Sequence, residues 1–281
     1  MKEVPNFPFI IGSGRSGTTL LRAMLDSHPG MAIPNESYFT AELATVRDRY
    51  EKATGFDVEA FLVDLLEYER FHRWGIGEET IRKRLAIEAP SDYAGAMRVV
   101  YACYAEMNGK LRYGDKTPRH VEYVGVLSEV FPESLFIHII RDGRNVACSY
   151  LDAEWGPGSV EEAAQMWAYR VAAGRTGGSR LGADRYIEVR YEDLVERTDL
   201  EIRRVCDFID LSFDPQMERY FERADDLRKG EHRPHRHQRL SLPPTKNLRD
   251  WRSELSRDDV RRYEEIAGAL LSELGYETVT R

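Results

Sequence analysis

The distribution of apolar residues predicts strands that alternate with helices along most of the chain. Apolar runs typical of buried strands occur at residues 7–11, 111–113, 134–140 and 186–190, with a weaker run at 31–33. Most of the stretches between them carry apolar side chains at helical spacing. Because such alternation is typical of parallel sheets, the pattern predicts one α/β domain.

Residues 38–109 interrupt this alternation, because their apolar positions follow helical spacing and no strand signal is visible. Aromatic residues are dense here, and aromatic side chains at helical spacing usually belong to a core. We therefore expect a helical insertion after the second strand. Outside it, helices are predicted at 18–27, 118–130, 160–180, 200–209, 215–221 and 257–274.

A glycine-rich turn, G-S-G-R-S-G-T-T at residues 12–19, joins the first strand to the first helix. Its glycines allow a close approach to a ligand, and the free N–H groups of the helix N-terminus favour an anion. The spacing is that of a Walker A loop, G-x-x-x-x-G-K-[ST], but Thr18 stands at the lysine position and Arg15 supplies the positive charge. The loop therefore suits a 5′-phosphate or phosphosulfate better than a triphosphate with its metal. The alternative is a turn that binds nothing.

Three charged residues follow predicted strands, at the edge where open α/β sheets bind ligands: Glu36, Lys116 and Arg141. Lys116 is predicted to lie in a strand-to-helix loop, with Pro118 in the first turn of the next helix. Each residue has a structural alternative. Glu36 could cap the next helix, and Lys116 could be a solvated surface lysine. Arg141 could pair with Asp142, which is itself a candidate N-cap.

The histidines and cysteines do not predict a metal site. His138 lies inside a predicted strand and is expected to be a hydrogen-bonded core residue. A later histidine run lacks a carboxylate or thiol partner and is not expected to bind metal: His232, His235 and His237. The cysteines are isolated in sequence and are expected to be buried thiols in a reducing compartment: Cys103, Cys148 and Cys206.

Composition narrows the classes of protein that the chain can belong to. Hydrophobic residues make up 42% and charged residues 31% of its 281 residues, which is typical of a globular protein. No apolar run approaches the roughly 18–20 residues of a membrane span, and the N-terminus lacks the apolar core of a signal peptide. We therefore expect no membrane span and a cytoplasmic location. The net charge of −8 argues against a nucleic-acid partner, although the field at a site can differ from the total.

The loop and the helix that follows it, Gly12–Pro29, resemble the 5′-phosphosulfate loop of sulfotransferases that use 3′-phosphoadenosine-5′-phosphosulfate (PAPS). The nearest branch contains the tyrosylprotein sulfotransferases and many bacterial small-molecule sulfotransferases. Three later elements extend the resemblance over most of the chain: K-T-P at 116–118, R-D-x-R-x-x-x-x-S at 141–149 and R-Y-E-D-L at 190–194. The resemblance implies a P-loop-containing, three-layer α/β fold with a central parallel sheet, as one domain over residues 1–281.

The resemblance also implies roles for particular residues. Glu36 would be the general base on an acceptor hydroxyl, and Arg15 and Lys116 would neutralise charge around the transferred sulfuryl group. PAPS would be the cosubstrate, with no metal, and the 3′-phosphate would lie at Arg141 and Ser149. The residues implied in nucleotide binding are Gly14, Arg15, Ser16, Gly17, Thr18, Thr19, Arg141, Ser149, Tyr191, Ser241 and Lys246.

Two further segments have implied roles. The insertion 38–109 would line the acceptor site, and its aromatic residues favour a hydrophobic or phenolic hydroxyl, from a small molecule or a peptide. The stretch 223–249 has little apolar periodicity and is strongly basic, with a cluster at 228–239. Because relatives close a C-terminal loop over the 3′-phosphate, it is predicted to be a lid, with a solvated basic loop as the alternative.

Two other functions stay open on sequence grounds. A P-loop kinase of a small metabolite would share the loop, but Thr18 replaces its lysine and no aspartate suited to Mg²⁺ follows an apolar strand. A catalytically inactive nucleotide sensor, or a nucleic-acid module that uses residues 228–239, is the other alternative. Turnover of PAPS with a phenol separates this last alternative from a sulfotransferase.

Overall fold

The computed structural model describes residues 5–153, 156–227, 240–245 and 248–279. Its strands are β1 (Phe7–Gly12), β2 (Met31–Ala32), β3 (Glu51–Lys52), β4 (Gly55–Phe56), β5 (Arg112–Tyr113), β6 (Asp115–Lys116), β7 (Ser134–Ile140) and β8 (Tyr186–Arg190). Its α-helices are α1 (Thr18–Asp26), α2 (Phe39–Ala44), α3 (Val58–Leu66), α4 (Glu69–His72), α5 (Glu78–Glu88), α6 (Tyr93–Met107), α7 (Val124–Val130), α8 (Gly143–Leu151), α9 (Val160–Ser179), α10 (Tyr191–Glu196), α11 (Thr198–Phe208), α12 (Ala224–Leu227), α13 (Trp251–Glu254) and α14 (Arg257–Glu273). Short 3-10 helices lie at Arg47–Arg49, Pro118–Glu122, Pro215–Met217 and Tyr220–Arg223.

A parallel sheet with the strand order β6-β1-β7-β8 forms the centre of the fold. Every residue of β1 and β7 is buried, as expected for parallel strands covered on both faces. Phe9 and Ile11 pack with the helices of the insertion, whereas Ile10 packs with α1, α10 and α11. Successive side chains of β1 therefore serve opposite layers, and the predicted three-layer α/β fold is confirmed.

The edge of the central sheet differs from the prediction. The strand expected at 111–113 is β5, which pairs with β2 in a separate two-stranded sheet. Asp115 and Lys116 form the edge strand β6 instead, so Lys116 ends a strand rather than lying in a loop. Gly114 joins the two pieces, and a Cβ there would lie 2.9 Å from the carbonyl oxygen of Pro8. A two-residue strand that contains two charged residues carries no apolar pattern, which is why the sequence did not predict it.

The insertion at 38–109 is helical, as predicted, apart from one β-hairpin. The hairpin pairs β3 with β4, and Glu51 and Lys52 are exposed, so no apolar alternation marks it. Buried aromatic residues of the insertion share one core with Phe7 and Phe9 of β1: Phe39, Tyr50, Phe61, Phe71, Trp74, Tyr93 and Tyr101. The insertion is therefore packed directly on the face of the sheet.

The C-terminal half confirms most of the predicted helices. The stretches predicted at 160–180, 200–209 and 257–274 form α9, α11 and α14. Ser256 and Asp259 form a capping box at the start of α14, and the Asp142 carboxylate caps α8 as predicted. The single helix expected at 215–221 is wrong, because two short 3-10 helices form there.

No helix in the described part of the chain has the length and apolar character needed to cross a membrane.

Candidate active site

The predicted site residues converge on the carboxyl edge of the central sheet. The β1–α1 loop lies in the middle, Lys116 ends β6 on one side, and Arg141 follows β7 on the other. Tyr191 follows β8, one strand further out. Parallel strands bring their carboxyl ends to one edge, so residues far apart in sequence meet there.

The β1–α1 loop is held tightly by two tyrosines. Gly17 has a φ of 102°, and a Cβ added there would lie 2.3 Å from the Tyr191 ring. A Cβ at Gly14 would lie 2.5 Å from the Tyr150 hydroxyl oxygen. Ser16 is fully buried, and its hydroxyl has no protein partner among the described residues. The loop therefore needs glycine at these two positions for packing as well as for ligand approach.

One cluster, here called the lysine end, consists of Thr19, Glu36, Arg70 and Lys116. Lys116 Nζ lies 2.9 Å from Glu36 Oε1 and 3.4 Å from Thr19 Oγ1. Arg70 Nη1 lies 3.5 Å from the other oxygen of the glutamate. The Lys116 side chain is 4% exposed and that of Glu36 is 27% exposed. The lysine end thus places a carboxylate and a hydroxyl of the first turn of α1 within hydrogen-bonding reach of one buried cation.

The structural alternatives for these two residues are wrong. Helix α2 begins after Tyr38, and no side chain caps its N-terminus, so Glu36 is not a helix cap. Lys116 is buried rather than solvated. Tyr38 has a φ of 44°, and its ring lies under the Arg70 guanidinium at 4.0 Å. Burial, and then the charge of Glu36, raises the pKa of the Tyr38 hydroxyl, which therefore stays neutral beside the carboxylate.

The second cluster, the arginine end, consists of Arg15, Arg141, Ser149 and Tyr191. Arg15 Nε donates to Ser149 Oγ at 2.8 Å, and Arg141 Nη1 donates to the backbone carbonyl of Arg15 at 3.3 Å. The Arg141 guanidinium lies 4.3 Å from the centre of the Tyr191 ring. The structure thus joins Arg15 to the residues expected at the 3′-phosphate.

Arg141 is not paired with Asp142, contrary to its structural alternative. Arg144 bonds to both oxygens of the Asp142 carboxylate, at 3.0 and 2.8 Å, and Trp251 Nε1 donates to it at 3.1 Å. Arg141 is 6% exposed, and its Nε has no protein partner within the described ranges. A buried guanidinium N–H without a partner suits an anionic ligand.

The donor set fits a ligand that carries phosphate groups. Arginine guanidinium groups, hydroxyls and the N-terminus of α1 are the groups that bind phosphate oxygens in proteins. The buried Ser16 hydroxyl and Arg141 Nε both lie at this edge and lack a partner in the part of the chain that the structure describes. Within the same part, His, Cys, Asp and Glu side chains form no group of three suited to a metal ion.

The structure describes only part of the predicted C-terminal loop. Ser241 lies in the short piece 240–245, which is anchored by buried Leu240 and by a bond from the Tyr220 hydroxyl to the carbonyl of Leu242. Lys246, the basic cluster at 228–239 and most of the predicted lid lie outside the described residues. The histidine run at 232, 235 and 237 lies outside them as well, whereas the cysteines are buried and free as expected.

Sequence reasoning did not predict that a set of buried polar residues forms a network behind the lysine end. Ser37, Tyr101, Asp115, Thr117 and His120 are all buried. Asp115 and Thr117 flank Lys116 and Ser37 follows Glu36, so their positions next to predicted site residues are the one signal that could have singled them out.

His138 is buried as expected, its Nδ1 lies 2.6 Å from the Tyr186 hydroxyl, and burial lowers its pKa to about 3.

Comparison with known proteins identifies the family. The model of the Sulfotransferase family matches residues 8–215. The chain is 28% identical to nodulation protein NoeE of Sinorhizobium fredii over 99% of this chain and 67% of that protein, and 24% identical to a protein-tyrosine sulfotransferase of Drosophila melanogaster over 98% and 52%. The chain thus spans about two thirds of the length of NoeE and about half of the length of the Drosophila protein.

A solved structure agrees with this match. The sulfotransferase domain of the olefin synthase of Synechococcus PCC 7002 is 26% identical, with a TM-score of 0.60 over 94% of this chain and 96% of that domain. The family match covers most of the described central sheet, from β1 to β8, and includes both ends of the candidate site. The chain therefore belongs to the sulfotransferase family.

Proposed function

We propose that this protein transfers the sulfuryl group of PAPS to an acceptor hydroxyl, with Glu36 as general base. The observation that carries the proposal is the contact of Lys116 Nζ with both Glu36 and Thr19, at 2.9 and 3.4 Å. It brings a proton acceptor and a cation to the start of the anion-binding helix. A structural lysine would need only one of these partners.

The lysine end supplies the groups that an in-line transfer requires. When bound, PAPS supplies an activated sulfuryl group on its 5′ side. Glu36 takes the proton of the acceptor hydroxyl, and Lys116 neutralises the charge that develops on the oxygen between sulfur and phosphorus. Lys116 also holds Glu36 in place through their 2.9 Å contact. Positioning and charge stabilisation carry most of the catalysis in such loose displacements.

The arginine end supplies recognition of the nucleotide. Arg141 and Ser149 hold the 3′-phosphate, while the loop from Gly14 to Thr19 holds the 5′ side. Arg15 contributes to both, because its backbone lies in the loop and its Nε already donates to Ser149. Tyr191 supports Arg141 from below through a ring contact of 4.3 Å.

The acceptor is proposed as a hydroxyl of a small molecule or of a peptide, phenols included. The Drosophila relative is named for transfer to protein tyrosine, and the Tyr38 ring beside Glu36 offers an aromatic surface to a phenol. A cytoplasmic location and a lid at 223–249 stay predictions.

Turnover with PAPS tests the proposal. The protein is incubated with PAPS and a panel of phenols, sugars and tyrosine peptides, and both 3′-phosphoadenosine-5′-phosphate (PAP) and the sulfated acceptor are measured by mass spectrometry. We expect PAP release that depends on an acceptor and continues in EDTA. Absence of PAP release with every acceptor, together with tight binding of ATP and Mg²⁺ in calorimetry, would favour a kinase instead.

A further inference from the structure

A buried polar layer lies directly behind the Lys116–Glu36 pair, and the transfer reaction as proposed does not use it. Asp115 and Thr117 stand on either side of Lys116, and Ser37 follows Glu36; all three are fully buried. Burying polar groups is costly unless they are hydrogen-bonded. We therefore expect these buried polar side chains to form hydrogen bonds that serve a structural or functional purpose.

One hydroxyl group connects the two segments that carry the catalytic residues. Thr117 Oγ1 accepts a hydrogen bond from the backbone N–H of Ser37 at 2.9 Å and donates to Asp115 Oδ2 at 3.4 Å. The Ser37 hydroxyl oxygen also lies 3.3 Å from Thr117 Oγ1. The glutamate segment is therefore bonded to the lysine strand from behind, 80 residues away in sequence.

The Asp115 carboxylate is held by Tyr101 of the insertion and by His120 of the 3-10 helix that follows β6. The Tyr101 hydroxyl donates to Asp115 Oδ2 at 2.7 Å, and His120 Nδ1 lies 3.0 Å from Asp115 Oδ1. Burial alone would raise the pKa of the Asp115 carboxyl, but the neighbouring His120 and the hydrogen bonds outweigh it, so the pKa is lowered. The Tyr101 hydroxyl also lies 2.8 Å from Thr40 Oγ1 in α2. Thr117 thus bonds to a charged, immobile acceptor.

We infer that Thr117 is a positioning residue, whose hydroxyl holds the segment of Glu36 against Lys116 so that the carboxylate faces the acceptor. This inference rests on the proposed function. The direct Lys116–Glu36 contact is partly exposed at the glutamate, and exposed ion pairs hold their partners weakly. A buried backbone N–H, by contrast, requires its acceptor. The buried bond from Ser37 N–H to Thr117 Oγ1 therefore sets the position of the Glu36 segment, and the Lys116–Glu36 ion pair forms once that segment is in place.

A pair of matched variants tests the inference. Thr117→Val keeps the shape of the side chain but removes the hydroxyl, whereas Thr117→Ser keeps the hydroxyl. We expect Thr117→Val to lower kcat by about 10- to 100-fold, since small displacements of catalytic groups have effects of this order. The KM for PAPS should change by less than about twofold, and Thr117→Ser should recover most of the rate.

A double-mutant cycle separates positioning from a general loss of stability. If Thr117 acts through Glu36, Thr117→Val should cause no further loss of kcat in a Glu36→Gln background. Equal losses in both backgrounds, or a Thr117→Val enzyme with normal kcat, would overturn the inference. Wild-type protein that does not turn over PAPS would instead overturn the proposed function.

Stability controls complete the test. If Thr117→Val gives no folded protein by circular dichroism, Thr117→Ala is measured in the same cycle. Failure of both variants to fold would show that the hydroxyl serves stability, and would overturn the positioning role.

Discussion

The lysine end and the arginine end of the site are built in different ways. At the arginine end, Arg141 and Ser149 are carried by the long strand β7 and helix α8, and a buried ion pair lies beside them. At the lysine end, Lys116 sits on a two-residue strand, and Glu36 sits in a loop that hydroxyl groups hold from behind. Regular secondary structure positions one cluster, and a side-chain hydrogen-bond network positions the other.

This difference matches the different demands that nucleotide recognition and proton transfer make on the position of a side chain. Recognition of a charged nucleotide tolerates small errors in position, because charges act over several ångströms. The proposed proton transfer to Glu36 would require hydrogen-bond distances and would be far more sensitive to position. A network of buried side-chain hydrogen bonds, anchored on the insertion through Tyr101, can fix such a group where the sheet edge alone would not. We therefore expect that substitutions can disable the two ends separately.

The largest expected effect is at the lysine end. Glu36→Gln should lower kcat by about 10²–10⁴-fold, the usual contribution of a positioned general base. The affinity for PAP should stay nearly unchanged, because Glu36 contacts Lys116 and Arg70 rather than the arginine end. Steady-state kinetics and calorimetry measure the two quantities. Normal turnover by Glu36→Gln would show that another residue is the general base. Loss of PAP binding in this variant would show that the lysine end and the arginine end do not act separately.

A loss of stability is expected at the buried ion cluster behind the arginine end. Arg144 bonds to Asp142 at 2.8 Å and to Glu264 at 2.6 Å, and its side chain is 1% exposed. Arg144→Met should lower the free energy of unfolding by about 3–5 kcal/mol, since it leaves buried carboxylates uncompensated. Urea denaturation checks this. Arg82→Met, which breaks an exposed pair with Glu59, is the control and should change stability little. Equal effects would show that burial of the cluster is unimportant.

A smaller effect is expected at Arg141 itself. Arg141→Lys keeps the charge but loses the planar fork and the contact with the Tyr191 ring. We expect PAP to bind about 10–100-fold more weakly, with kcat at saturating PAPS changed much less. Tyr191→Phe keeps the ring and serves as the matched control. A fall in kcat without weaker binding would contradict the recognition role of Arg141.

The smallest effect is a pH dependence that arises in β7. Burial lowers the pKa of His138 to about 3 from 6.5, so the unfolded chain binds a proton there before the folded chain does. The stability contribution of His138 is therefore present above pH 6.5 and is lost as the pH falls from about 6.5 towards 3. The slope should approach about 1.4 kcal/mol per pH unit. Urea denaturation between pH 4 and 7 should show a shallower slope for His138→Gln. If His138→Gln leaves the slope of the unfolding free energy against pH unchanged, the lowered pKa of His138 would be contradicted.

The sequence predicted the arginine end more completely than the lysine end, and the reason is physical. Apolar β7 and the eight-residue spacing from Arg141 to Ser149 follow from periodicity and one motif, so both were found. Glu36 and Lys116 were found as well, although Lys116 was wrongly assigned to a loop. Thr117 and Asp115 were missed as a pair that supports them, because their partners Ser37 and Tyr101 come from distant segments. Hydrogen bonds between isolated polar residues leave no period in a sequence.

The same limit applies to the small elements of the fold. The strands β1, β7 and β8 were predicted because apolar runs mark them, but the hairpin at residues 51–56 is largely exposed and carries no such run. The two parallel sheets were not separated, since strand partners depend on where Gly114 redirects the chain.

The most direct test of the account compares two sulfuryl donors that differ only in the 3′-phosphate. PAPS and adenosine 5′-phosphosulfate are offered to the wild-type protein in EDTA with the same acceptor, and kcat and KM are measured for each. The account predicts a kcat/KM for PAPS that is at least about 10²-fold higher, mainly through KM, because Arg141 and Ser149 recognise the 3′-phosphate. Arg141→Lys should narrow this ratio. Equal use of both donors, or use of neither, would contradict the central claim.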